Sequence, residues 1–102
     1  MAIKNTIKMT NLNLEQKVIV SDDVLFQILG GETVLLNMET EQYFGLNEIG
    51  SKIWELISKE KKISEVLTEL LNEYEVDHET LKNDLSSILL KMEAKKLISF
   101  EN

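Results

Sequence analysis

The chain has 102 residues, 43% of them hydrophobic, with no cysteine, no proline and a formal charge of −7. That is one domain's worth of chain with a modest core, it excludes disulfides and thiolate chemistry, and its acidity disfavours phosphate backbones and anionic lipid as partners. No stretch approaches the ~20 apolar residues of a membrane span, and the start of the chain lacks the apolar core of a signal peptide, so a cytoplasmic protein is expected.

Residues 1–16 are polar, with Ile3, Ile7, Met9, Leu12 and Leu14 scattered among them, and read as a flexible arm ahead of a domain over 17–102. Lys17 to Val20 is β-prone and is broken by Ser21-Asp22-Asp23. Val24 to Leu29, the turn pair Gly30-Gly31 and Glu32 to Met38 read as a hairpin, with Val34, Leu36 and Met38 alternating with Leu35 and Asn37. Glu39-Thr40-Glu41 is a polar turn, and Gln42 to Leu46 is a third strand at one edge of the resulting meander.

Asn47 is a preferred N-cap, and Ile49, Ile53, Trp54, Leu56 and Ile57 give the helix behind it one apolar face, ending near Ser58. Ser64 is the better N-cap by chemistry for a second helix, whose face is Val66, Leu67, Leu70, Leu71 and Tyr74. Asp77 caps a third, with Leu81, Leu85, Ile88, Leu89 and Met92 at helical spacing and Lys91, Lys95 and Lys96 near its negative end. Leu97 to Phe100 either forms a short strand or packs down. The order predicts an α+β domain, winged helix-turn-helix-like, with a three-stranded antiparallel sheet followed by three helices.

The inventory for catalysis is poor. His78, the single histidine, sits beside a helix N-cap and reads as a surface residue. Glu39 and Glu41 have no further ligand close in sequence, so no metal site is expected. Nucleophile-elbow, phosphate-loop and dinucleotide patterns are missing, which argues against an enzyme and against a bound cofactor. Binding remains. An edge strand offers unpaired N–H and C=O groups that an added peptide strand satisfies. Tyr43 reads either as a core or sheet-packing residue or as a groove contact, Phe44 points to the opposite face, and Gly45 permits close chain approach or a bulge.

The run from Leu36 to Ile57 resembles the signature of the PqqD-like proteins, the leader-peptide recognition elements of ribosomal peptide natural-product pathways. Met38, Thr40, Tyr43, Leu46, Asn47, Gly50, Ile53, Trp54 and Leu56 match its pattern, and the likeness extends from about Val20 to the C-terminus. Asn37 stands where the pattern has aspartate and Glu41 where it has a turn glycine, so a looser turn is expected. The resemblance implies that a precursor leader peptide lies as an extra strand beside Gln42, Tyr43, Phe44 and Gly45. The third helix would wall the groove with residues drawn from Asn83, Asp84, Ser87, Ile88, Lys91 and Lys95. The implied partners are that leader and a separate maturation enzyme, either a radical-SAM enzyme or a lasso-peptide protease and cyclase.

Two other readings compete. A winged-helix DNA-binding regulator shares the architecture, since fold does not fix function. The third helix, though, mixes acidic and basic residues rather than carrying a basic stripe. A purely structural subunit of an enzyme complex would expose an apolar patch and need no free sheet edge.

Overall fold

The computed structural model describes residues 13–59 and 61–101, and the greater part of the arm, residues 1–12, lies outside them. The elements run β1 (Lys17–Val20), β2 (Val24–Leu29), β3 (Glu32–Asn37), β4 (Gln42–Leu46), α1 (Glu48–Ile57), α2 (Ile63–Glu73), α3 (His78–Ala94) and β5 (Ile98–Glu101). The expected α+β order of an antiparallel meander followed by three helices is present: β2, β3 and β4 pair in sequence order, and β4 forms one edge. The C-terminal segment is a strand. It pairs with β1 in a second, two-stranded sheet, Lys17 opposite Glu101 and Val20 opposite Ile98.

The β2–β3 turn follows from its residues. Gly30 and Gly31 both take positive φ, 59° and 86°, the conformation that a two-residue hairpin of the right twist requires. Alternation along the strands then turns Val24, Leu35 and Asn37 inward, where α1 lies beneath the sheet. Trp54 of α1 is buried, with the Phe26 ring set edge-on to it at 6.0 Å. Ile53, Ile57, Leu70, Leu85 and Leu89 bring the three helices together in the same core.

Asn47 caps α1, its side chain accepting from Gly50 N at 2.9 Å, and Asp77 caps α3 by accepting from Thr80 N at 3.1 Å. The start of α2 differs from the Ser64 cap chosen on chemistry. The helix begins at Ile63 with Lys62 as N-cap, because other groups serve its first amides. Ile63 N donates to Gln16 O at 3.0 Å, Ser64 N to Leu14 O at 2.8 Å, and Lys62 N to the Glu65 carboxylate at 2.8 Å. Residues before β1 therefore supply acceptors that a helix start otherwise takes from its own cap.

The β3–β4 turn is also not loose. Asn37 is fully buried, and its Oδ1 accepts from Glu39 N at 2.9 Å and Thr40 N at 3.3 Å, while Glu41 N donates to Asn37 O at 2.7 Å. The residue in place of the turn glycine, Glu41, takes φ 61°. At the end of α3, Lys96 likewise takes φ 62°, with Lys96 N donating to Glu93 O and Leu97 N to Met92 O, the paired bonds that close a helix through a left-handed residue.

Left-handed backbone costs an ordinary side chain about 1–2 kcal/mol, part of which glycine gives back as chain entropy. Glu41→Gly and Lys96→Gly should therefore each raise stability by about 0.5–1 kcal/mol, or roughly 2–8 °C in Tm for a domain of this size. A thermal melt showing a lower Tm for both would contradict the backbone reading.

Candidate functional site

The site is built where the free edge of the sheet meets α3. Among the described residues, β4 pairs with β3 on one side and with no strand on the other. Register puts Phe44 opposite Leu35 and so on the inner face, half-buried against the core. Tyr43 lies opposite Leu36 on the outer face and is 71% exposed. That exposure rules out the core reading of Tyr43 and leaves its side chain beside Leu36 on the sheet surface, pointing away from the helices. Gly45 shares the outer face, and a Cβ placed on it would meet nothing within 4 Å. No close approach inside the fold demands a glycine there.

The α3 residues fall into a row by helical spacing. Asp84, Ser87, Ile88 and Lys91 line a cleft of about 390 Å³, within the range of small-molecule-sized sites. One turn further, Lys95 places its ammonium 5.1 Å from the centre of the Phe44 ring, which joins the end of the row to β4. The structure thus brings together Phe44, Asp84, Ser87, Ile88, Lys91 and Lys95. Gln42, Tyr43 and Gly45 stay exposed along the strand, and Asn83 is exposed without lining the cleft.

The cleft opens where β4 runs into α1. Its remaining walls are Asn47, Ile49 and Ile53, then Leu70, Tyr74 and Val76 from the end of α2 onward, and Thr80, Leu81 and Leu85. Ile49 corrects the expected apolar face of α1: it is 45% exposed and turned into the cleft instead of the core. Val76 carries only a weak signal in the sequence, a lone apolar residue between Glu75 and Asp77 outside any helical stripe. Burial, reinforced by the neighbouring Glu73 carboxylate, pushes the Tyr74 phenol above its ordinary value, so it stands at the cleft as a neutral hydroxyl. The walls are apolar and the rim is charged, with Asp84 and Lys91 a little under two turns apart on α3.

Asn37, the last residue of β3, ties the β3–β4 turn to the end of α3. Its Nδ2 donates to Lys95 O at 3.3 Å and Lys96 O at 3.1 Å, carbonyls at the end of α3. One buried amide therefore holds the β3–β4 turn with its oxygen and the helix end with its nitrogen. Metal-ligating clusters of three or more His, Cys, Asp or Glu are missing among the described residues.

These features define a small α+β domain, winged-helix-like in element order, with an open sheet edge beside a helix-walled apolar cleft. The family model for coenzyme PQQ synthesis protein D matches residues 32–98, and the chain belongs to that PqqD family. Among solved structures it is similar to TbiB1 in complex with the TbiA(beta) leader peptide, at 36% identity and a TM-score of 0.77 over 79% of this chain and 94% of that one. It shares the fold of lasso peptide synthetase B1 complexed with the leader peptide, at 17% identity and a TM-score of 0.73 over 80% of this chain and 96% of that one. No curated protein matches the sequence.

Replacing Asn37 with alanine leaves the turn amides and the α3 carbonyls without their buried partner, and should lower stability by about 2–3 kcal/mol. Urea denaturation of the variant measures this; a loss under about 0.5 kcal/mol would mean that the amide is not what joins turn to helix.

Proposed function

We propose that this chain is a leader-recognition module, which captures the leader of a ribosomally made precursor as an added strand on β4 and presents it to a separate modifying enzyme. The observation that carries the reading is the free β4 edge lying alongside the α3 row that ends in Lys95 over Phe44. Family membership and the leader complex of the 36%-identical TbiB1 support it.

Each main-chain bond to β4 would contribute about 0.5–1.5 kcal/mol and fix register. Apolar leader side chains entering the cleft would contribute roughly 1.5–3 kcal/mol apiece and supply selectivity. Association costs about 4–15 kcal/mol, so the cleft decides whether a given leader binds. Gln42, Tyr43, Phe44 and Gly45 would offer the main chain, with Asp84, Ser87, Ile88, Lys91 and Lys95 as the facing wall. The module itself performs no chemistry and works by raising the local concentration of its cargo. The receiving enzyme is of the lasso-peptide type by similarity to the B1 proteins, with a radical-SAM enzyme as the alternative. A cytoplasmic setting suits a carrier of newly made peptide, and among the described residues no helix is long and apolar enough to cross a membrane. DNA binding has no support in the charge of α3 or in the family.

Neighbouring residues of an edge strand alternate between an amide paired inward and one left free. One of Tyr43→Pro and Phe44→Pro therefore removes only a free donor and should remain folded. In a fluorescence titration with the cognate leader, that folded variant should bind at least tenfold more weakly. Unchanged affinity would contradict docking on β4.

A further inference from the structure

The helices pack on one face of the β2–β3–β4 sheet and, among the described residues, leave the other uncovered. On that outer face Leu25, Leu36 and Tyr43 are register partners across the three strands, with Val34 and Gly45 in the adjoining row. Leu25 is 54% exposed and Val34 39%, and with Leu36 and Tyr43 they line a shallow hollow of about 430 Å³. Gln27, opposite Val34, is the one polar side chain lining the hollow, and an apolar patch of this size on a monomer is often functional.

Charge narrows the occupant. From Ser21 to Ser51 the chain carries six carboxylates (Asp22, Asp23, Glu32, Glu39, Glu41 and Glu48), all exposed, and no lysine, arginine or histidine. The strands and turns that carry this face therefore contribute carboxylates and no cation, while Lys96, from beyond α3, shares a hollow with Glu39 at the β3–β4 turn. Two copies meeting face to face would bring like rims together. The area is also small: three strands about 4.8 Å apart and about 20 Å long give a flat footprint of roughly 300 Å², against about 800 Å² per partner in a stable complex. A permanent homodimer fits neither property, whereas a transient hand-over contact fits both.

We infer that the outer face of this sheet docks the enzyme that receives the leader, through a surface apolar at its centre and basic at its rim. This rests on the reading of the chain as a leader carrier. Position favours that occupant: a strand added to β4 would extend the same sheet, so an enzyme seated on the outer face would meet the cargo at the border of its own contact. Electrostatic complementarity at such a rim acts mainly on encounter and specificity.

The test uses the full chain, its cognate leader peptide, and the enzyme that modifies that precursor, purified and immobilised for interferometry. Leu25→Ser combined with Val34→Thr should leave leader affinity within twofold and weaken enzyme binding at least tenfold. Glu32→Lys combined with Glu41→Lys should weaken enzyme binding at least threefold and flatten its salt dependence. The inference is overturned by enzyme affinities within twofold for both variants, by no enzyme binding to the unaltered chain, or by a dimer in sedimentation velocity that the Leu25/Val34 variant dissociates. Absence of leader binding by the unaltered chain is a separate failure: it removes the leader reading and this inference with it, whereas the preceding results remove the inference alone.

Discussion

A single buried amide ties together the two halves of the proposed leader site. Asn37 uses both ends of its side chain, the oxygen on the β3–β4 turn and the nitrogen on the last carbonyls of α3. An amide can do this because it carries acceptor and donor groups together; a carboxylate at the same point would face the negative end of the helix dipole. With the turn and the helix end joined, the start of β4 cannot drift from α3, and Lys95 comes to rest over Phe44. At the other end of β4, Asn47 caps α1 and fixes the opening of the cleft. The groove is thus held at both ends by asparagine side chains.

Both edges of the three-stranded sheet are unpaired among the described residues, so an open edge alone does not choose where a peptide adds. The surroundings do. The β4 edge has a helix wall, an apolar cleft and two lysines, and can anchor side chains as well as main chain. The β2 edge contributes no residue to that cleft, and a strand added there would have main-chain bonds for register but less to select its sequence. The outer face of the same sheet, apolar with a carboxylate border, then serves a different partner without competing for the groove.

Much of this was legible in the residues because local signals and tertiary packing agreed. The Gly30-Gly31 turn, the Asn47 and Asp77 caps, and the Leu81, Leu85, Leu89 and Met92 stripe each have a short-range cause, and each appears where it was expected. What escaped depended on residues far apart in the chain. The α2 start lies at Ile63 because the carbonyls of Leu14 and Gln16 reach it. Ile49 looks like core by periodicity but opens onto a cleft that α3 and the end of α2 complete. Asn37 looks like a weakened aspartate until the end of α3, 58 residues onward, is beside it. The outer face of the sheet was hidden for another reason, since alternation of apolar residues on both faces of β2 and β3 does not say which face the helices will cover.

Backbone amide hydrogen exchange, read residue by residue with and without saturating cognate leader, tests the central claim most directly. The account predicts that alternate amides within Gln42–Leu46 become strongly protected when leader binds, together with the facing turns of α3, while Val24–Leu29 changes little. Protection gathered on Val24–Leu29, or none on Gln42–Leu46 with the leader fully bound, would contradict it.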